Sequence, residues 1–442
     1  MAWPDALSAF LPAAACIDRI KPGGLSYTEK DPMISRREFL ISASKTASIA
    51  GVPLALSTAL PDGWVSDAFG FAVSDSADNL VRTAPKARYW ISTASPSVDC
   101  RNCHKPEYAT SGKGYTHKPA VVQCVLCAQN CVLRAGERGK CRSRMNVSGE
   151  LRSLVYGRPV SVHVDPIEKK PFYHFLPGAD AFSFATSGCP LRCKFCQNWE
   201  ISQSRPEDFD TVIVPPEEIV RSASSRKSPV IAFTYNEPTV FIEYLSDTAK
   251  IAKQQKLRCV LVSCGFMNTA PLSEMCGLLD AIKIDLKGFS PDFYRNVCNA
   301  EIQPVLNSIR QIARSKVHLE IVNLVVPTLN DSEKMLRGLV DWILGEIGPD
   351  VPIHFTRFHP DYQLLNLPPT PVATLERARD LAMSRGIRFA YVGNVPDHPG
   401  NHTYCPACGK AVIRRTSIFI EELSLIKGCC KFCGKAIPGV WS

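Results

Sequence analysis

The chain has 442 residues, 45% hydrophobic and 21% charged, with 51 Lys and Arg against 42 Asp and Glu for a formal net charge of +9. That length leaves room for two or three domains, and the balance suits a conventional packed core, which argues against a disordered or fibrous chain. The basic residues are scattered, with no run of five or more, so they read as a mildly basic globular surface and not as a nucleic-acid stripe.

Residues 1–85 read as a leader and linker, weakly patterned and rich in Ser, Ala and Pro. Within them SRREFL at 35–40 precedes the weakly apolar run ISASKTASIAGVPLALSTAL. Paired arginines, Phe39 two positions later and a modest hydrophobic stretch resemble a twin-arginine export signal over 35–60. Met33 just upstream would give a conventional short leader. Lys45 and Pro53 interrupt the apolar run, which is too polar for an integral membrane span. Export to the periplasm, or association with the membrane, is the expectation; a cytoplasmic location is the alternative.

Residues 86–164 are cysteine-rich. The chain holds 19 cysteines, many in C-x2-C pairs: Cys100 with Cys103, Cys124 with Cys127, Cys405 with Cys408, and Cys430 with Cys433. In a chain this large such pairs favour metal or cluster binding over a disulfide framework. Cys124, Cys127, Cys131 and Cys141 form a C-x2-C-x3-C-x9-C set. Four thiolates suffice for a structural zinc ion or for an auxiliary iron–sulfur cluster, and the spacing does not choose between them. Cys100 and Cys103 are a further partial site.

From 165 to 400 strand-like and helix-like segments alternate. The strands fall at 182–188, 230–236, 258–264, 281–287, 318–326, 352–359 and 389–395, with helical stretches such as 239–256, 331–348 and 373–386 between them. Such repeats imply a parallel sheet, closed as a barrel or wound on both faces. No G-x-G-x-x-G follows the first strand, and chemistry at strand C-termini favours the barrel.

That chemistry starts right after the first strand, in GCPLRCKFCQNWE, where Cys189, Cys193 and Cys196 are spaced C-x3-C-x2-C. Three close thiolates hold three irons of a cubane and leave the fourth open to a small molecule. A structural zinc ion wants four ligands, and no fourth Cys or His lies close in sequence. The second strand ends in TYNEPT, placing Asn236 and Glu237 at the rim, where a carboxylate suits an ammonium group. In AIKIDLK, Ile282, Ile284 and Leu286 alternate with Lys283, Asp285 and Lys287. If the apolar face meets the helices, the charges point inward, and buried charges persist when paired or engaged with a ligand. Asp285 and Lys287 are therefore binding-site candidates. His354, Arg357, His359 and Asn394 are weaker ones. Residues 401–442 close the chain, and Cys405, Cys408, Cys430 and Cys433, spaced C-x2-C-x21-C-x2-C, give a zinc-ribbon-like pattern with Cys429 as an extra thiol beside it.

The C-x3-C-x2-C loop, with aromatic Phe195 before its last cysteine, resembles that of radical S-adenosylmethionine (SAM) enzymes. From about residue 120 onward the chain resembles the radical SAM enzyme of the AmmeMemoRadiSam system, on CVLCAQNC, YGRPVSVHVDPIEKKPFYHFLPG, GCPLRCKFCQNWEISQ, TYNEPT, IDLKG, LVVPTLND, HFTRFHP, YVGN and the closing cysteine pairs. Pro190 and Ala128 depart from that family's usual residues, at positions that are not ligands. The resemblance implies a partial (β/α)6 barrel with the cysteine-rich segment before it and the ribbon-like module after it. It implies a 4Fe-4S cluster on Cys189, Cys193 and Cys196, with SAM chelating the open iron and cleaved to a 5′-deoxyadenosyl radical that abstracts hydrogen from a substrate. Phe195, Asn236, Glu237, Asp285 and Lys287 would lie around SAM; Tyr235 and Asn236 stand where a Gly-Gly-Glu segment has its glycines, and Asp285–Lys287 resembles the Asp-Leu-Lys of pyruvate formate-lyase activating enzymes. A low-potential electron donor and Memo-like and AMMECR1-like proteins are the implied partners. Supplies of SAM and of such electrons sit in the cytoplasm, which pulls against the export signal. A glycyl-radical activase is the rival enzyme reading, and a non-catalytic iron–sulfur electron carrier the rival from another class. The charged and aromatic stretch 165–178 is expected to line the substrate side of the site.

Overall fold

The computed structural model describes residues 77–92 and 121–442. The twin-arginine reading at 35–60 and the Cys100–Cys103 pair lie outside the described residues. Three strands, β1 (Trp90–Ser92), β2 (Val122–Cys124) and β3 (Val132–Leu133), form a small antiparallel sheet, and β4 (Arg144–Val147) pairs with β5 (Glu150–Ser153). The main sheet follows: β6 (Ser161–Pro166), β7 (Asp180–Ala185), β8 (Val230–Phe233), β9 (Arg258–Ser263), β10 (Ala281–Asp285), β11 (His318–Val325), β12 (Ile353–Arg357) and β13 (Ala390–Gly393) lie side by side in chain order. β7 to β13 are parallel, and β6 runs antiparallel along β7. The central sheet is thus an α/β assembly of seven parallel strands, one more than a (β/α)6 count, with an antiparallel edge strand that pattern reading does not find. His163 and Asp165, alternating with Val162 and Val164, make β6 amphipathic in a stretch dominated by turn residues.

Side chains alternate across a strand, and here the two faces have different partners. Phe182, Phe184, Ile231, Phe233, Leu261, Ile282, Ile284, Ile321, Ile353, Phe355 and Val392 join the core shared with helices Pro216–Ser225, Ile242–Gln254, Thr269–Leu278, Ile302–Ala313, Glu333–Glu346 and Val372–Arg385. Helices therefore cover one face, as in a singly wound barrel. The other, inner face carries small residues at the start of the strands: Ala181, Val230, Ala232, Val260 and Ala281. Against them pack Ile167, Phe172 and Phe175, all fully buried, at about 2–3 kcal/mol per buried aromatic or aliphatic side chain.

Local signals set the helix ends. Ser332 Oγ accepts from Met335 N at the start of Glu333–Glu346, and Gly386, at φ +113°, ends Val372–Arg385 in a left-handed cap. Beyond β13, β14 (Thr403–Tyr404), β15 (Ala411–Thr416) and β16 (Phe419–Leu423) form a three-stranded sheet, and β17 (Leu425–Ile426) pairs with β18 (Cys429–Cys430). Among the described residues no helix is long and apolar enough to cross a membrane.

Candidate metal centre and binding rim

β7 ends at Ala185, and the chain turns through Gly188 into the loop carrying Cys189, Cys193 and Cys196. This loop is braced on both sides. Gly188 N donates to Ile201 O (2.8 Å), Arg192 N to Cys298 O (2.9 Å) and Lys194 N to Val297 O (3.0 Å). The last two acceptors belong to a π-helical turn, Tyr294–Cys298, a rare geometry often found at functional sites. All three thiols are free. Burial pushes Cys189 well above the ordinary thiol range and Cys196 up to about 11. Cys193 is lowered by a hydrogen bond from the Cys298 thiol, which outweighs its burial.

Thiols in such a pocket become good anions only beside a cation, and the donor set shows which kind. Among the described residues, Cys405, Cys408, Cys430 and Cys433 are the one group of three or more Cys, His, Asp or Glu whose ligand atoms all lie within 4.8 Å of one another. Cys189, Cys193 and Cys196 are near enough to interact electrostatically yet more widely spread than ligands gathered on a single ion. A cubane, whose thiolates sit on separate irons, fits them.

The neighbouring strand ends bring the other sequence candidates to this loop. Asn236 Nδ2 donates to Gly188 O (2.9 Å), while its Oδ1 is buried without a hydrogen-bond partner. Glu237 is 2% exposed and committed to the protein: Oε1 accepts from Thr239 N (3.2 Å), Thr239 Oγ1 (2.5 Å) and Ser263 Oγ (2.8 Å), and Oε2 from Cys264 N (2.7 Å). It ties the end of β8 to the end of β9. Asp285 is bracketed by two ammonium groups, Lys283 Nζ and Lys287 Nζ, the latter at 3.4 Å. Burial raises its carboxyl, but the two lysines outweigh it and hold the carboxyl below the usual range. Lys287 also stands 5.6 Å from the centre of the Phe195 ring. Burial works against its charge, yet Asp285 and the neighbouring thiols raise it well above the ordinary lysine range. Phe195 in turn stacks on Phe293, 6.3 Å between centroids. Cys189, Cys193, Cys196, Phe195, Asn236, Glu237, Asp285 and Lys287 thus surround one rim.

His354 does not join them. It is fully buried on the inner face, bonds Glu320 Oε2 at 2.7 Å and stacks on Tyr391, while its Nδ1 is buried without a hydrogen-bond partner. Arg357 Nε donates to Thr370 O (2.9 Å), and Asn394 Nδ2 to Arg357 O (3.3 Å). His359 bonds only the adjoining Pro360 carbonyl (3.2 Å).

The stretch 165–178 is placed differently from the sequence expectation. Its aromatics plug the strand-start end of the inner face, opposite the cysteine loop. Tyr173 N and His174 N donate to Glu320 (2.8–3.0 Å), and Glu168 accepts from Gly178 N (3.0 Å) with Arg415 at 3.9 Å. Glu168 therefore faces the C-terminal module and not the rim. Aromatics beside charges mark a buried junction as readily as a binding face, so the sequence pattern alone does not separate the two. Asp165 connects this stretch to Tyr235, just past the end of β8: Lys169 Nζ bonds Asp165 Oδ1 (2.8 Å), Lys170 Nζ bonds Asp165 Oδ2 (2.5 Å) and Tyr235 Oη (3.2 Å), and Tyr235 donates to the same carboxylate (2.6 Å). Burial lowers the Lys170 ammonium to about 8. Cys298 and Cys264 escape sequence reading, since single residues outside a spaced motif carry no signal.

Two cysteine sets flank the sheet. In the C-terminal set, Sγ–Sγ separations are 3.6 Å for Cys405–Cys433 and 3.7 Å for Cys408–Cys430. A tetrahedron with metal–sulfur bonds of about 2.3 Å has an edge of about 3.8 Å, so this set has the dimensions of a single-ion site. Cys429 lies beside it, half-buried. Cys124, Cys127, Cys131 and Cys141 lie in the segment packed on the cysteine loop.

The chain is similar to several known proteins. The family model of the radical SAM superfamily matches residues 184–340. An uncharacterized protein of Methanocaldococcus jannaschii is 42% identical over 319 residues, spanning 72% of this chain and 95% of the relative. The pyruvate formate-lyase-activating enzyme of Clostridium pasteurianum is 22% identical over 161 residues, 35% of this chain and 66% of that enzyme. Among solved structures, a domain of a pyruvate-formate lyase-activating enzyme from Bacteroides vulgatus aligns over 37% of this chain and 98% of its own, at 17% identity and a TM-score of 0.34.

Proposed function

Since the chain belongs to the radical SAM superfamily, we propose that it binds a 4Fe-4S cluster on Cys189, Cys193 and Cys196 and uses it to cleave SAM reductively. The reading rests chiefly on one observation: three free thiols on a braced strand-end loop, too widely spread for one ion, face a rim that carries Asn236, Asp285 and Lys287. The bound cluster with SAM supplies a 5′-deoxyadenosyl radical that abstracts hydrogen from a substrate.

This chain's residues position and shield. Asn236 Oδ1, unpartnered beside Gly188, is the acceptor we assign to the SAM ammonium. Glu237 braces the loop under it. Asp285 and Lys287 form a charge pair beside Phe195, able to hold the polar groups of SAM by charge-assisted hydrogen bonds. The aromatic plug at the far end of the inner face keeps water from entering there, which protects a radical from side reactions. We place the chain with the AmmeMemoRadiSam enzymes on the motifs that run from Cys124 to Cys433. We assign zinc to Cys405, Cys408, Cys430 and Cys433, on the tetrahedral edge lengths.

The test is anaerobic reconstitution, reduction with dithionite and assay for 5′-deoxyadenosine. The parent is expected to form it, and Cys189→Ala/Cys193→Ala/Cys196→Ala is not. No deoxyadenosine from a protein with an intact reduced cluster would overturn the reading. Similarity to pyruvate formate-lyase-activating enzymes supports a second reading as a glycyl-radical activase, which predicts a glycyl EPR signal on a partner protein.

A further inference from the structure

We propose that Cys124, Cys127, Cys131 and Cys141 bind a second cubane iron–sulfur cluster, separate from the one on the SAM loop and not a zinc ion. The fold gathers these four from three short turns. Cys124 ends β2 and Cys131 immediately precedes β3, with Cys124 N donating to Cys131 O (2.9 Å). Cys127 lies at the tip between them, where it bridges to Met267. Cys141 sits in a tight turn closed by Gly139 N to Arg144 O and Arg142 N to Gly139 O. A Cβ on Gly139 would stand 3.5 Å from Cys141 Sγ and 3.8 Å from Cys131 Sγ, so both sulfurs converge over that glycine. Cys127 lies within electrostatic range of the other three.

Two further observations point to a ligand. All four thiols are free although they are adjacent, and three are buried. N–H donors are also aimed at the sulfurs: Lys140 N to Cys131 Sγ (3.4 Å) and Arg144 Nη1 to Cys124 Sγ (3.8 Å). Arg144 is 1% exposed and held by Glu243 and by the Arg88 carbonyl. A buried guanidinium and a backbone amide directed at sulfur suit thiolates in a metal site, where such outer bonds tune and orient the ligands.

Spread separates cluster from zinc. The C-terminal four sulfurs lie within 4.8 Å of one another, and among the described residues no other such set does. No three of the sulfurs of Cys124, Cys127, Cys131 and Cys141 gather that closely, which leaves the room that ligands on four separate irons require. Position distinguishes the site from the SAM loop without isolating it. Gln129 Nε2 donates to Pro190 O (3.0 Å), Ser143 Oγ to Ser187 O (2.9 Å) and Arg192 Nη2 to Lys140 O (2.6 Å), so the two loops are in direct contact.

The test uses the full chain with the SAM-loop ligands removed. Cys189→Ala/Cys193→Ala/Cys196→Ala, reconstituted anaerobically with ferrous iron, sulfide and equimolar zinc, is expected to keep about four irons and four sulfides per chain, with an EPR signal after dithionite reduction and about one zinc. The parent should hold about twice that iron. About two zinc ions and no iron in this variant, or no metal beyond one zinc, would overturn the proposal. A variant that keeps all of the parent's iron would instead overturn the SAM-loop assignment, so the two failures are distinct. Cys124→Ser/Cys127→Ser/Cys131→Ser/Cys141→Ser should lose the complementary half; should it fail to fold, the first variant decides alone.

Discussion

Gly188→Ala tests the junction on which both cysteine sites depend. Gly188 has φ +95°, and a Cβ there would stand 2.0 Å from Ser143 Oγ and 2.3 Å from the Cys141 carbonyl oxygen. Left-handed backbone costs a residue with a side chain about 1 kcal/mol. Ordinary contact needs about 3.5 Å, so the Cys141 carbonyl must retreat by about 1 Å. That movement pulls Ser143 away from Ser187, whose carbonyl it bonds at 2.9 Å, at about 1 kcal/mol. Overpacking adds about 1–3 kcal/mol. The total of about 3–5 kcal/mol should lower the melting temperature by roughly 4–7 °C and speed proteolysis between residues 121 and 160. Ser143→Ala in the same chain removes the hydroxyl but not the backbone clash, so the double variant should recover little. Gly139→Ala meets only ordinary contacts and should melt near the parent. A Gly188→Ala protein melting within about 2 °C of the parent would refute the packing of the cysteine-rich segment on the SAM loop.

Two further outcomes follow from the C-terminal half. His174 is fully buried, with Nδ1–H donating to Pro438 O (2.6 Å) and Nε2 accepting from Tyr391 Oη (2.6 Å), and burial lowers its pKa to about 3. The unfolded chain takes up this proton near pH 6.5 and the folded chain refuses it, so the stability is complete above about pH 6.5 and falls away toward pH 3, by at most about 4–5 kcal/mol. His174→Gln keeps one donor and one acceptor, and should flatten the pH dependence of the urea midpoint between about pH 6.5 and 4.5; parallel curves would contradict the assignment. Chelation of zinc, or Cys408→Ser, should accelerate proteolysis within 401–442 while far-UV circular dichroism of the main sheet is retained, and equal cleavage with and without chelator would remove the metal from the account.

How much of this was legible depended on whether a feature is encoded by periodicity or by long-range pairing. The seven parallel strands show in sequence as short segments that are apolar or alternate apolar with polar residues and are bounded by turns. β6 is hidden, since its inner neighbours are polar and its partner strand lies beyond the 165–178 turn. The alternation in AIKIDLK correctly assigned Ile282 and Ile284 to the helix side and Asp285 to the inner side. On β12 both faces look alike in sequence, and only the pairing of Val322 with His354 and of His354 with Tyr391 fixes the histidine inward. The spacing of Cys189, Cys193 and Cys196 announced a centre, whereas Asn236 Oδ1 became distinct from Glu237 only when the donors around the carboxylate were counted.

The inner face is divided by chemistry along its length, and the division explains why so distant a segment as the C-terminus is needed. At the strand-start end, Phe172 and Phe175 fill the space over small residues, and their backbone must still be satisfied. Glu320 accepts from Tyr173 N and His174 N, and its buried charge is offset by hydrogen bonds from His318 and His354 that keep it ionised. The remaining groups are met from beyond residue 400: Arg415 Nη2 donates to Tyr173 O (2.8 Å), Leu176 N to Val440 O (2.7 Å) and Val440 N to His174 O (2.8 Å). Buried backbone groups left unpaired cost about as much as lost hydrogen bonds, so the plug depends on the segment around Val440 and on Arg415 being in place. Cys405, Cys408, Cys430 and Cys433 gather their sulfurs within the same C-terminal module, which closes the end of the inner face opposite the cysteine loop. At the other end Lys283, Asp285 and Lys287 offset one another's burial as an ion-paired set.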